Sequence, residues 1–184
     1  MISRPLPEGR STLAHDVRAT VRDVPDFPKP GILFKDITPV LADAALFARV
    51  TDSLADGAAA LQISHVVAIE SRGFLFGAPI AQRLGVPLVP VRKPGKLPYR
   101  RVREEYALEY GTDALEMHED AVGHGSRVLV VDDVLATGGT AAATRRLVER
   151  AGGTVVAFGF VIDLTFLNGR QQLVGSAVDA IVEY

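Results

Sequence analysis

The chain has 184 residues, a net charge of −2 and 48% hydrophobic residues, which is typical of one globular domain with a sizeable core. The slightly acidic balance gives no reason to expect nucleic-acid binding, and the lack of cysteine excludes disulfides and thiolate metal sites. No apolar stretch approaches the ~20 residues that a membrane-spanning helix needs, and the first residues lack the apolar core of a signal peptide. We therefore expect a single domain over residues 1–184, located in the cytoplasm, with no nucleic-acid or membrane partner.

A helix that begins at Ser11 is predicted from four apolar residues with helical spacing. They are Leu13, Val17, Val21 and Val24. The next segment, 25–39, contains four prolines, which disfavour a helix and predict a stiffened loop with a short extended piece over 32–34. Leu33 and Phe34 are large apolar residues on this loop. They could stack on a flat ligand or simply anchor the loop to the core.

The chain then repeats a strand, turn and helix order. The apolar pattern predicts a helix over 44–61, a buried strand over 65–69 and a further strand over 87–91. A polar turn over 70–73 precedes a helix that lies between these two strands. Arg72 in this turn is a natural contact for an anion, although a surface arginine would explain it equally well.

A local basic cluster follows the strand over 87–91. Its members are Arg92, Lys93, Lys96, Arg100, Arg101 and Arg103. A solvated loop is the usual explanation, and nucleic acid is a rival one, but few aromatic residues accompany the charge. Prolines and glycine make the segment non-helical, and 106–117 alternates like a hairpin with Glu109 and Tyr110 just before its turn. A mobile basic hairpin beside a phosphate site would make a lid, over about 93–118.

The most informative stretch lies over 127–140. Residues 128–131 are apolar and β-branched, which predicts a strand buried on both faces, and we expect the chain to bend after Val131. Asp132 and Asp133 come next, before small and hydroxylated residues that lead into a helix. These small residues are Ala136, Thr137, Gly138, Gly139 and Thr140.

This order of strand, small-residue turn and helix predicts a phosphate site. The first amides of a helix have no internal partner, and glycine lets the backbone approach an anion closely. Two carboxylates would repel a phosphate beside them, but they could accept hydrogen bonds from two sugar hydroxyls. Ribose 5-phosphate satisfies both requirements, whereas a lone Asp-Asp pair would more often be a helix cap with a solvated acid.

Two further buried strands, over 154–162 and 178–182, complete an alternating pattern of strands and helices. We predict a three-layer α/β domain with a central, mostly parallel sheet of about five strands. An N-terminal hood over about 25–40 and a flexible hairpin lid complete this prediction. Since ligands bind at the carboxyl ends of parallel strands, the turns after the strands should converge.

With these elements placed, the sequence resembles the adenine phosphoribosyltransferase family of the type I phosphoribosyltransferases, from about residue 25 to 164. The resemblance is carried by FPKPGILFKDITPVL, ESRGFLFGAPIA, VPVRKPGKLP, YALEYGTDALEMH and VLVVDDVLATGGT. It implies a purine salvage reaction in which adenine and 5-phosphoribosyl 1-diphosphate (PRPP) give AMP and pyrophosphate. It also implies Mg²⁺ bound mainly through PRPP, and a homodimer.

The resemblance implies a role for each motif. Leu33 and Lys35 would offer backbone groups to the purine, and Phe34 would stack on it. Glu109 would hydrogen-bond N7 of adenine, with Tyr110 nearby, while Asp132 and Asp133 would face the ribose. The resemblance also implies that Arg72 and the Glu70-Ser71 turn hold the pyrophosphate, with a cis peptide there, and that Arg92, Lys93 and Lys96 contact it. The residues implied to hold the 5-phosphate are Ala136, Thr137, Gly138, Gly139 and Thr140.

Two alternatives stay open at this point. The base could be another purine, although a 6-oxo purine is often met by a lysine and the strand over 154–164 has none. A non-catalytic PRPP-sensing regulator is the second alternative, but such proteins usually carry an added DNA-binding domain, for which this chain leaves no length.

Overall fold

A computed structural model describes residues 8–107 and 112–184, in which helices and strands alternate along most of the chain. The α-helices are α1 (Glu8–Thr20), α2 (Thr38–Ala42), α3 (Ala44–Ala58), α4 (Gly73–Leu84) and α5 (Gly139–Arg150). The strands are β1 (Arg22–Pro25), β2 (Leu33–Asp36), β3 (His65–Ile69), β4 (Leu88–Val91), β5 (Arg101–Ala107), β6 (Thr112–His118), β7 (Arg127–Leu135), β8 (Thr154–Asp163) and β9 (Ala177–Glu183). Short 3₁₀ turns cover Ala59–Leu61, Thr165–Leu167 and Gly169–Leu173.

The centre of the fold is the predicted five-stranded sheet. Its strand order is β4-β3-β7-β8-β9, and each neighbouring pair is parallel. The strand predicted over 65–69 has these bounds, and β4, β7, β8 and β9 overlap the other four predictions. The prediction of a central parallel sheet is therefore confirmed.

Helices cover both faces of this sheet and form two hydrophobic cores. On one face, α1, α3 and α4 pack through Val17, Val50 and Phe76, all fully buried. On the other face, α5 packs through Leu147 beside the β5–β6 hairpin, whose Leu115 is also fully buried. Because alternate strand residues point to opposite faces, one apolar strand contributes to both cores. The three-layer prediction is confirmed.

The boundaries of α3 and α4 have local causes. The side chain of Asp43 accepts hydrogen bonds from the amides of Ala45 and Leu46, at 3.0 and 2.9 Å, and so caps the start of α3. Gly85 ends α4 in the left-handed conformation, with φ of 67°. The glycine at 85 is the residue type that such a helix end favours.

The N-terminal segment departs from the sequence prediction. The helix α1 ends at Thr20, and Val24 lies in β1 rather than on the helix. β1 pairs in antiparallel register with β2, with Val24 opposite Phe34. Val24 continues the helical spacing of Leu13, Val17 and Val21 only by chance. Its β-branched side chain also suits a strand. The predicted hood thus contains the second strand of a two-stranded hairpin whose first strand precedes it.

A second hairpin, β5–β6, lies in the segment predicted as a lid. Arg101 pairs with His118 at its base and Ala107 with Thr112 next to its turn. A bridge between Arg92 and Glu116 joins the hairpin to the end of β4. Within residues 8–107 and 112–184, no helix is long and apolar enough to cross a bilayer.

Candidate functional site

Several segments of the chain meet around one cavity at the carboxyl edge of the sheet. Its volume is about 500 Å³, within the range of small-molecule sites. The hood strand, the turn after β3, the segment after β4 and the end of β7 all contribute to its wall. The predicted site residues that line it are Leu33, Phe34, Lys35, Ser71, Arg72, Lys93, Asp132, Asp133, Ala136 and Thr140.

A smaller cavity of about 70 Å³ lies at the start of α5. The remaining residues of the small-residue turn, Thr137, Gly138 and Gly139, line it. Gly138 has φ of 83° and caps the helix, and its carbonyl oxygen accepts from the amide of Ala142 at 2.9 Å. The amides before Ala142 have no intrahelical acceptor, so the turn over 136–140 can bind an anion. We call residues 136–140 the phosphate turn.

The sequence predicted that Asp132 and Asp133 follow the strand. In the structure both residues lie within β7. β7 continues to Leu135, and Asp132 pairs with Phe160 of β8 while Val134 pairs with Ile162. The expected bend after Val131 is wrong, because Val134 and Leu135 extend the apolar pattern and both pack in the core. The chain turns only at the phosphate turn, so strand pairing fixes both carboxylates.

The two acids have different surroundings. Asp133 is buried, with 5% exposure, and accepts a hydrogen bond from the guanidinium of Arg72. Asp132 accepts from the amide of Asp133 at 2.9 Å. Burial, together with the charge of Asp133, raises the pKa of Asp132 well above its ordinary value of 3.8. Both acids line the larger cavity, so they could accept hydrogen bonds from two hydroxyls of one ligand.

Glu70 organises the cations of the basic cluster. Its carboxylate accepts from the side chain of Lys96, from the amide of Lys93 at 2.9 Å and from Arg92 Nε at 3.3 Å. Burial raises the pKa of Glu70, but these hydrogen bonds outweigh it and hold the pKa below its ordinary value. Arg92 and Lys96 are not among the residues that line either cavity, since their side chains turn to Glu70.

A second cluster joins the lid hairpin to the phosphate turn. Lys93 Nζ donates to the carboxylate of Asp113 and, at 3.3 Å, to the hydroxyl of Tyr106. The same hydroxyl accepts from Thr140 Oγ1 at 3.4 Å. Burial lowers the pKa of Lys93, but the bonds to Asp113 and Tyr106 outweigh it and raise the pKa. One phenol therefore links three parts of the site.

The hood places Phe34 at the cavity and turns the side chain of Lys35 away. Lys35 Nζ lies 2.6 Å from a carboxylate oxygen of Asp23 and 4.0 Å from the ring centroid of Tyr184. Only the backbone of Lys35 is therefore left to meet a ligand. The ring of Phe34 packs edge-on against Phe27, with centroids 5.1 Å apart. Tyr184 contacts the hood through the side chain of Lys35.

Some site predictions lie beyond the described residues, and some site residues were missed. Glu109 and Tyr110 fall in 108–111, outside the described ranges, so their roles stay predictions. The peptide bond between Glu70 and Ser71 is cis, as the resemblance implies. Residues that line the larger cavity and were not assigned to it are Ile32, Tyr106, Val134 and Leu164. Apolar residues next to polar turns are too common to mark a site, and only the hairpin's alternation pointed to Tyr106.

No group of three or more histidine, aspartate or glutamate side chains suited to a metal occurs in the described part of the chain. Asp132 and Asp133 are nevertheless hard oxygen donors at the cavity wall. Mg²⁺ is usually bound by one or two carboxylates, waters and substrate phosphates rather than by an all-protein cage. The site therefore fits a Mg²⁺ ion that arrives with a phosphorylated substrate.

Comparison with known proteins agrees with this geometry. The family model described as "Phosphoribosyl transferase domain" matches residues 40–171. The chain is 58% identical over 174 residues to an adenine phosphoribosyltransferase of Myxococcus xanthus, with 95% of each chain covered. It is 51% identical to the crystal structure of the adenine phosphoribosyltransferase of Thermoanaerobacter pseudethanolicus, with a TM-score of 0.90 and with 93% of this chain and 99% of that chain covered.

A third similar structure contains ligands. It is the adenine phosphoribosyltransferase of Saccharomyces cerevisiae in complex with adenine and an imino-altritol 1,6-bisphosphate. The identity is 39% and the TM-score 0.87, over 93% of this chain and 99% of that chain.

The acid pair predicts a pH-dependent stability. Because the pKa of Asp132 is raised in the folded state, the folded chain binds this proton more tightly than the unfolded chain does. The contribution of protonated Asp132 to the free energy of unfolding is complete below about pH 3.8. It is lost as pH rises through the raised pKa. Asp132→Asn should therefore raise Tm at pH 8, by about 2–4 °C if the gain is about 1 kcal/mol, and the gain should shrink toward pH 4.

Thermal denaturation followed by circular dichroism between pH 4 and pH 8, with a chelator present, measures this difference. Asp120→Asn is the matched control, because Asp120 is exposed and should show no such trend. A Tm gain for Asp132→Asn that stays constant with pH would contradict the charge explanation.

Proposed function

Because the chain belongs to the adenine phosphoribosyltransferase family, we propose that its larger cavity and phosphate turn together bind adenine and PRPP. The reaction transfers the 5-phosphoribosyl group to adenine and yields AMP and pyrophosphate, a step of purine salvage. The observation that carries the proposal is the meeting of hood, acid pair and phosphate turn around one cavity of about 500 Å³.

The ribose 5-phosphate part of PRPP would lie along the end of β7. Its phosphate fits the phosphate turn, where free amides at the start of α5 and the hydroxyls of Thr137 and Thr140 can donate. Hydrogen bonds to a charged group contribute about 1.5–3 kcal/mol each, so several of them bind strongly. Asp132 and Asp133 would accept from the 2- and 3-hydroxyls. In this arrangement the reacting C1 carbon would face the hood, where we place adenine.

The pyrophosphate part would replace the protein carboxylates that hold the cations in the free structure. Lys93 and Arg72 line the cavity and are paired with Asp113 and Asp133. Ser71 lies at the start of α4, where backbone amides also favour an anion. Such preorganised positive charge stabilises the departing pyrophosphate, which gains charge as its bond to C1 breaks.

The adenine ring would lie between the hood and Leu164. Phe34 offers an aromatic face, and Leu33 and Lys35 offer backbone groups to the purine edge. The ammonium of Lys35 is held by Asp23 and therefore does not meet the base. Among the described residues, no lysine is thus assigned to the 6-position of the purine. An oxo group there would need such a donor, so the pocket favours the amino group of adenine.

The proposed chemistry needs one proton acceptor. As the bond from C1 to pyrophosphate breaks, positive charge develops on the ribose ring, and the acid pair supplies negative potential next to it. N9 of adenine then bonds to C1, and its N7 proton passes to the carboxylate of Glu109. Closure of the hairpin lid over about 93–118 would exclude water, which would otherwise capture the ribosyl cation.

Mg²⁺ is proposed as the cofactor, held mainly by PRPP oxygens, with Asp132 and Asp133 the carboxylates available to it. When bound, it would neutralise part of the phosphate charge. A cytoplasmic location stays a prediction of the sequence.

The test of the function is AMP formation by the purified protein from adenine, PRPP and Mg²⁺. Adenine should react at least about 100-fold faster than hypoxanthine, because a mismatched donor or acceptor leaves a buried polar group unpaired. A chelator should abolish turnover. Equal rates with both bases would contradict adenine selectivity, and no pyrophosphate release with any base would favour a PRPP sensor.

Glu109→Leu tests the proton acceptor. Positioned acid–base catalysis is worth about 10²–10⁴ in rate, so kcat for AMP formation should fall within that range while the affinity for PRPP is kept. Steady-state kinetics and calorimetry with PRPP measure the two quantities. Glu105→Leu is the matched control, because Glu105 is exposed and pairs only with Arg103 in the described structure. Unchanged turnover of Glu109→Leu would rule out the role.

We also infer a homodimer. β4 is an edge strand of the sheet, and Leu88 on it and Leu75 on the neighbouring α4 are 41% and 46% exposed. Arg92 and Lys96 line neither cavity and instead bond to Glu70, which suits cations near a subunit boundary. Sedimentation velocity should give twice the mass of one chain, and a single species at the monomer mass would contradict the inference.

A further inference from the structure

The phosphate turn is packed from behind by residues 164–173, which we call the back segment. We propose that Gly169, in the middle of this segment, is a positioning residue for the phosphate turn: its lack of a side chain lets the turn adopt the conformation that binds the ribose 5-phosphate group. This inference rests on the proposed function, and it concerns a residue that does not line either cavity of the site.

The space behind the turn admits no side chain at this position. A Cβ atom on Gly169 would lie 2.2 Å from the carbonyl oxygen of Ala136 and 3.1 Å from the amide nitrogen of Gly138. Both are backbone atoms of the phosphate turn, and backbone cannot rotate aside as a long side chain can. Gly169 has no positive φ, so its own backbone conformation would tolerate alanine. The obstacle is therefore steric and lies in the turn.

The contact is reciprocal. A Cβ atom on Gly138 would lie 2.5 Å from the carbonyl oxygen of Gly169. Gly138 also has φ of 83°, the conformation from which α5 starts. The two glycine backbones thus pack directly against each other. A shift of either one would change the direction of the amides that we assign to the phosphate.

The back segment is tied to the sheet, so it cannot easily yield. Arg170 donates to the carboxylate of Asp163, which is only 1% exposed, and to the carbonyl of Val178 at 3.1 Å. The amide of Leu164 donates to the carbonyl of Leu135 at 2.9 Å. Leu173 is 1% exposed in the core beside α5. An added methyl group would therefore press on the backbone of the phosphate turn and shift its amides.

The effect should be confined to the phosphorylated substrate. The three atoms nearest to a Cβ on Gly169 belong to Leu135, Ala136 and Gly138, and none of these residues lies in the hood. The loss of one hydrogen bond to a charged phosphate should weaken its binding by about 10- to 100-fold. Gly169→Ala should thus raise KM for PRPP by about 10- to 100-fold and leave KM for adenine within about twofold.

Steady-state kinetics with each substrate varied in turn, and calorimetry with ribose 5-phosphate alone, test the proposal. Neither KM nor Kd depends on the folded fraction of a sample, so modest destabilisation does not disturb the comparison. Gly123→Ala is the matched control, because a Cβ there meets nothing within 4 Å and its φ is not positive. An unchanged KM for PRPP and unchanged ribose 5-phosphate affinity in Gly169→Ala would overturn the proposal, as would an equal rise in both KM values.

If Gly169→Ala does not fold, a measurement on the unaltered chain still tests the proposal. Binding of ribose 5-phosphate should slow amide hydrogen exchange in the back segment, although none of its residues from 165 to 173 lines the site. No change in exchange there on saturation would overturn the proposal. If the unaltered chain makes AMP but Gly169→Ala keeps its affinity for PRPP, the positioning role alone fails. If the unaltered chain neither makes AMP nor binds ribose 5-phosphate, the proposed function fails with it.

Discussion

The pairing of β7 with β8 is the constraint on which the site depends. β7 pairs with β3 only as far as Val131, whereas its pairing with β8 extends through Asp132 to Leu135. Two neighbouring carboxylates would separate if they lay on a free loop, because like charges repel. The pairing with β8 holds the backbone that carries them, and the phosphate turn follows directly after this strand. The strand therefore keeps two acids close together, and a ligand with hydroxyl donors would relieve part of the repulsion that Arg72 leaves.

The cations of the site are held in place by carboxylates that a substrate can replace. Glu70, Asp113 and Asp133 each pair with basic side chains around the cavity. The side chains of Glu70 and Asp133 are largely buried, so their cations are released at low cost only when a multiply charged phosphate takes the place of the carboxylates. In the free chain these pairs also keep arginine and lysine side chains from extending into solvent. The site is thus preorganised without being blocked.

The sequence predicted the central sheet and most of the cavity wall, because those features are local. Buried strands such as 65–69 show as apolar runs, and the phosphate turn shows as small residues between a strand and a helix. Whether Val24 lies in a helix or a strand could not be predicted. A β-branched residue with helical spacing fits both until its strand partner, Phe34, is known. The pairing of Lys93 with Asp113 likewise depends on a hairpin register that spacing alone does not fix.

The sequence also could not show where two backbone segments approach each other closely. Such approaches shape the site, and they occur at glycines, which have no side chain. A Cβ on Gly73 would lie 2.8 Å from the carbonyl oxygen of Val131 and 2.9 Å from a carboxylate oxygen of Asp132. The first turn of α4 therefore approaches β7 more closely than any other residue would allow. The free amides at a helix start carry partial positive charge, so this approach offsets part of the repulsion within the acid pair. Gly73 thus acts on the acid pair as Gly169 is proposed to act on the phosphate turn, by letting one backbone reach another.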